Sequence, residues 1–194
     1  MQGDRLGRSG GDPSHSNAGV VALGSWDATT KEVFDKIVAA GTLAVLAPVF
    51  VCCWIYAKVT GPSKAPVTTV PRLGIGGEAF DLLNFSAPAD QRKDRPLVKY
   101  GLIHLPELLN VLRGDMSLVG PRPRPVRPAL SGRPIEVRLR PGMTGLWMLT
   151  PRTELTPQDI HSLDRTYVES WSLFRDIRIL IVTAGAVRYG WKTT

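Results

Sequence analysis

Six arginines crowd one stretch of the chain, Arg122, Arg124, Arg127, Arg133, Arg138 and Arg140, opposed only by Glu136. The first two stand between prolines, in Gly120-Pro-Arg-Pro-Arg-Pro125, where each ring fixes its own φ and keeps the path extended and stiff. A guanidinium is a planar fork whose paired N–H donors match two phosphate oxygens. Arginines held on a stiff backbone have given up their entropy before a ligand arrives, so the spacing points to a cradle for phosphate or diphosphate. The plainer alternative is a solvated charge run. The whole chain leans toward anionic partners: 24 Lys and Arg against 17 Asp and Glu give a net charge of +7. Acidic lipid headgroups, nucleotides and lipid phosphates fit that balance. Nucleic acid fits the charge as well, but its binders read a groove or stack aromatics on bases, and here the aromatics gather in the apolar segments, so no nucleic-acid partner is expected.

Other reactive side chains are few. His15, His104 and His161 show no ligand spacing with one another or with the two cysteines, so no zinc site is expected. Cys52 and Cys53 are adjacent inside an apolar run, which suits buried, reduced thiols. The glycine cluster Arg72-Leu-Gly-Ile-Gly-Gly77 is turn-forming, and it lacks the strand-to-helix context of a phosphate loop.

The elements that must position these groups are legible in outline. At 194 residues the chain suits one domain with its own core. Residues 1–30, rich in Gly, Ser and Asp, are expected to be a disordered tail. Residues 31–60 hold the uncharged run Ile37–Ile55, about the length of one membrane helix. A buried core helix is the alternative. Lys31 and Lys36 flank one end and Lys58 and Lys64 the other, so charge gives no orientation. Pro48 inside the run predicts a broken or kinked helix that enters a bilayer and returns to the same face. Residues 61–190 form the remaining domain. A short strand is expected around Val67–Val70, and a helix over Leu102–Arg113 with Pro106 in its first turn and Gly114 as its C-terminal cap. Residues 141–150 read as a turn and a short buried strand, and Asp159–Ser170 as a helix. From Trp171 an apolar segment carries Arg175, Asp176 and Arg178, the pattern of a helix in a headgroup layer with its charges upward; a core helix is the alternative.

The segment Asn110–Pro123, NVLRGDMSLVGPRP, resembles the small bacterial sugar transferases, monotopic enzymes that move a phosphosugar from a nucleotide sugar to polyprenyl phosphate. The likeness runs from about Lys31 to Gly190. Lys31 with Phe34-Asp35 resembles the family's opening before its re-entrant helix, and Ala47-Pro48 sits where that helix bends. Arg72-Leu-Gly with Gly77 and Phe80 is similar to its Arg-x-Gly loop. Arg140-Pro-Gly-Met-Thr-Gly-Leu-Trp147, Arg152, and Asp164 through Tyr167, Glu169 and Trp171-Ser-Leu173 match the C-terminal half. The resemblance implies an α/β fold of mainly helical kind: a re-entrant membrane helix and a small interfacial domain with amphipathic helices and a few short strands. It implies the cytoplasmic face of the cytoplasmic membrane. Arg72, Pro121, Arg122, Pro123, Arg140 and Arg152 become the substrate-binding residues.

In that family an Asp-Glu pair just before a Leu-Pro does the work, the Asp as covalent nucleophile and the Glu with Mg2+ as cofactor. In this chain the two positions are Ile103 and His104. Isoleucine has no nucleophilic atom, and imidazole is a poor ligand for magnesium, which takes oxygen. The family's Lys-Phe-Arg-Ser-Met loop becomes Asn84-Phe85-Ser86-Ala87-Pro88 and loses both cations; Met148 replaces a Gln. Two functions follow. One is phosphosugar transfer with His104 as nucleophile or base, helped by Glu107 a turn along. The other, which the lost pair favours, is a non-catalytic relative that binds a nucleotide sugar or lipid phosphate. It would act alone, as a homo-oligomer or beside an active transferase.

Overall fold

The computed structural model describes residues 21–61, 65–86, 96–126, 137–149 and 157–188. Helix α1 (Ser25–Val45) and helix α2 (Ala47–Thr60) meet at Leu46 with a bend of 72°. Pro48 lies in the first turn of α2, where a missing N–H leaves nothing unpaired, whereas continuing α1 through it would set its ring against the carbonyl of Ala44. No single helix among the described residues is long and apolar enough to cross a membrane; the bent pair taken together meets that measure by length and composition alone. The helix begins at Ser25, inside the stretch read from sequence as a tail, and Val21–Ala22 (β1) pairs in parallel with Val137–Arg138. Residues 1–20 lie outside the described residues.

The domain beyond is mixed α/β, mostly helical with a few short strands. Strand β2 (Val67–Leu73), longer than the sequence predicts, pairs antiparallel with β3 (Ala79–Phe85) from Val67↔Phe85 to Leu73↔Ala79. Gly76 and Gly77 turn the hairpin at φ of 67° and 87°, values that only glycine adopts cheaply. Three short elements precede or follow the candidate site: α3 (Pro96–Lys99), a 3-10 turn (Leu102–His104) and α4 (Glu107–Arg113). The sequence predicts one helix over Leu102–Arg113. Pro106 cannot donate to Leu102, so the chain closes instead with tight bonds from His104 to Gly101 and from Leu105 to Leu102, both 3.1 Å. Gly114 caps α4 with φ 89°, as its position predicts.

Strand β4 (Ser117–Val119) runs parallel to a strand at Gly142–Thr144, and Arg124–Pro125 (β5) pairs with the end of β2. With Val137–Arg138 as β6 and Gly142–Thr144 as β7, the remaining helices are α5 (Leu146–Leu149), α6 (Pro157–Glu169) and α7 (Leu173–Arg188). The core joins Leu82, Leu108, Val111, Met116, Val119 and Tyr167 with Ala39 of α1 and Ile179 of α7.

One expectation is corrected here. Asp176 does not point outward among headgroups; it is fully buried. Its Oδ2 lies 2.6 Å from Lys31 Nζ and 3.1 Å from the Trp171 Nε1 donor, and its Oδ1 accepts from the Tyr167 hydroxyl at 2.7 Å. Burial, then the adjacent carboxylate, push the Tyr167 phenol far up, so it stays a donor. Lys31 also lies 3.3 Å from Asp35, which accepts from Ser117. The Asp176 charge, which sequence places on a surface, is tolerable inside because both of its carboxylate oxygens are paired or hydrogen-bonded. Helix α7 nonetheless exposes Phe174, Ile177, Ile181 and Val182 on its outer face.

Candidate functional site

The arginine-proline stretch splits into two roles. Arg124, within β5, turns toward buried Asp164 of α6, with Nη2 to Oδ2 at 3.8 Å. Arg122 stays exposed, its guanidinium 5.7 Å from the centre of the Trp147 ring. The indole itself is fixed by its Nε1–H, which donates to the Gly120 carbonyl at 3.2 Å. Gly120, Gly142 and Gly145 permit this closeness: a Cβ on Gly142 would strike the Gly120 amide nitrogen, and one on Gly145 the Gly120 carbonyl. Pro121 is buried and Pro123 half-buried. Together Leu73, Gly74, Pro121, Arg122, Arg124 and Leu139 line a shallow, open cleft.

Asp164 ties the loop down from below. Burial pushes its carboxyl up to about 6, while Arg124 and a backbone hydrogen bond from Arg122 oppose the rise. Between pH about 4 and 6 the folded chain therefore holds a proton that the unfolded chain has released. Its stabilising effect is full below the unfolded value of 3.8 and is lost as pH rises through about 6. Asp164→Asn is expected to flatten that decline, as read by denaturant unfolding at pH 4.5 and 7; an unchanged slope would assign the decline to other groups.

The other predicted cations sit apart. Arg140 pairs with Glu32 of α1, Nη1 to Oε2 at 2.8 Å, so it links the bent helix pair to the domain. Arg72 lies in β2, half-buried, with Nε buried and without a hydrogen-bond partner among the described residues. Arg152 lies outside the described residues.

At the other end of the hairpin stands His104, its side chain 54% exposed. Its Nδ1 lies 2.6 Å from Oε1 of Glu107, whose side chain is 6% exposed, and 3.1 Å from Oδ1 of Asn84. Ile103 beside it packs half-buried against Cys53, Ala57, Phe85 and Leu97. Asn84 pairs with Thr68, and Leu73 with Arg124, so five residue steps, about 16 Å of strand, separate the His104 end from the Arg124 end. Sequence reasoning missed Asn84 as a partner of His104 and Trp147 as the platform of Arg122. It met Asp164 only within a motif. None of the three carries a local signal, because each acts on a residue 20 or more positions away.

A family model described as bacterial sugar transferase matches residues 26–190. The chain belongs to that family. Among its sugar-transferase relatives, a UDP-glucose:undecaprenyl-phosphate glucose-1-phosphate transferase of Caulobacter vibrioides is 34% identical, over 79% of this chain and 67% of the relative. An exopolysaccharide production protein of Sinorhizobium fredii is 31% identical, over 81% of this chain and 85% of the relative. An undecaprenyl-phosphate galactose phosphotransferase of Salmonella typhimurium is 31% identical over 81% of this chain, which spans only 40% of that relative's length.

Proposed function

We propose that this sugar transferase homologue sits on the cytoplasmic face of the cytoplasmic membrane. There it binds a nucleoside diphosphate sugar and polyprenyl phosphate in glycan or exopolysaccharide synthesis, without the family's carboxylate–magnesium reaction. The observation that carries the binding is the exposed Arg122 fork, set over Trp147 beside an open cleft and anchored through Asp164. The relatives whose names specify nucleotide sugars and undecaprenyl phosphate support the substrate class.

The membrane reading rests on the bent pair and on what it leaves outward. Val45, Val51, Trp54, Ile55 and Val59 are exposed along α1 and α2, an apolar surface with no protein to cover it among the described residues. A hairpin bent at Leu46 lays that surface in lipid and returns to one face. The full chain is expected to sediment with membranes and resist carbonate, and removing residues 31–60 should weaken that attachment. Recovery of the full chain in soluble form without detergent would contradict it.

The reaction centre differs from the family pattern in kind. Magnesium needs several hard oxygen donors, whereas Ile103 offers none, His104 offers nitrogen, and Glu107 is a lone carboxylate whose Oε1 holds His104, with no metal-holding cluster among the described residues. These side chains do not fit Mg2+. Nucleotide-sugar binding is therefore expected to persist in EDTA.

A further inference from the structure

We propose that His104 is a covalent nucleophile, carrying a phosphosugar on Nε2, with Glu107 as its positioning residue; this rests on the nucleotide-sugar reading above. The geometry fixes the imidazole in a useful state. Both atoms facing Nδ1, Glu107 Oε1 at 2.6 Å and Asn84 Oδ1 at 3.1 Å, are acceptors. The ring proton of a neutral imidazole therefore belongs on Nδ1, and the Nε2 lone pair is free. Glu107 is held in place by its own burial at the start of α4, so it orients the ring without being drawn out into water. The ring itself is 54% exposed, and among the described residues its contacts are made through Nδ1. A buried carboxylate that aligns a half-exposed imidazole is the arrangement of an activated base or nucleophile.

The step balances without a metal or any further reagent. The Nε2 lone pair attacks the sugar-bearing phosphorus of a nucleoside diphosphate sugar. An N–P bond forms, the P–O bond to the nucleoside monophosphate breaks, and that group leaves with the bonding electrons. Positive charge on the imidazole is met by the Glu107 carboxylate across the Nδ1 proton. In the second half, a phosphate oxygen of polyprenyl phosphate attacks the same phosphorus, and the N–P electrons return to Nε2.

Intact mass spectrometry of the full chain in nanodiscs, incubated with a UDP-hexose and no acceptor lipid, tests this directly. Addition of one phosphohexose is expected, stable to alkali and lost in mild acid, as a phosphoramidate is, whereas an acyl phosphate is lost in alkali. His104→Gln should abolish the adduct while calorimetric binding of the UDP-hexose remains, which also shows that the variant is folded. Glu107→Gln should slow adduct formation and erase the Nδ1–H tautomer signature of His104 in 15N spectra. Binding without any adduct overturns His104 as nucleophile but leaves the nucleotide-sugar reading standing. An alkali-labile adduct that survives His104→Gln overturns it in favour of a carboxylate. Absence of binding by the parent chain overturns both.

Discussion

Lys31→Met is expected to destabilise the folded chain by about 3–5 kcal/mol, the cost of breaking a buried ion pair by removing one partner. Methionine keeps most of the volume and removes only the charge. Asp176, fully buried, and Asp35, nearly so, would then face each other with no cation between them. Tyr167, Trp171 and Ser117 would still donate to them, but neutral donors do not offset two buried negative charges. Against a typical domain stability of about 5–15 kcal/mol, that loss is large enough to leave a substantial unfolded fraction on mild warming. Thermal unfolding in detergent, followed by tryptophan fluorescence, reads it. A change below about 1 kcal/mol would mean that the cluster is solvated like an ordinary surface pair. The cluster also fixes how the bent helices meet the domain, since Lys31 and Asp35 are on α1 while their partners are on α7 and β4. A loosened cluster would uncouple the bent helix pair from the arginine loop.

That same cluster marks the limit of what the residues alone reveal. Proline and glycine signals act locally, so the break near Pro48, the turn at Gly76-Gly77 and the cap at Gly114 are all readable in advance. The helix start at Ser25 was not, because polar residues with no apolar period resemble a tail until the β1–β6 pairing holds them. Lys31 and Asp176 are separated by 145 positions and individually look like surface charges; only their meeting makes burial tolerable. The candidate site divides in the same manner. Arg122 stands out through its prolines, but Trp147 beneath it and Asp164 behind it come from other elements. His104 and Glu107 are three apart, so their contact follows from local geometry once Pro106 forces a tight turn. Asn84 completes the group from a strand, out of reach of any periodicity.

The second large effect concerns Arg122. A charge-assisted hydrogen bond to phosphate contributes about 1.5–3 kcal/mol, so Arg122→Ala should weaken nucleotide-sugar binding roughly 10- to 150-fold. Arg122→Lys should recover only part, because an ammonium lacks the two-pronged fork and stacks less well on the Trp147 face. Fold stability should barely change in either variant, since the guanidinium is exposed and the loop is anchored by Asp164 and the Gly120–Gly142 contact.

Calorimetric titration of the full chain in nanodiscs with a nucleoside diphosphate sugar, in EDTA, tests the central claim most directly. Saturable one-site heat is expected from the parent chain, with binding weakened roughly 10- to 150-fold in Arg122→Ala and clearly less in Arg127→Ala. No heat from the parent chain, or equal losses for the two alanine variants, would contradict a defined diphosphate cradle at Arg122.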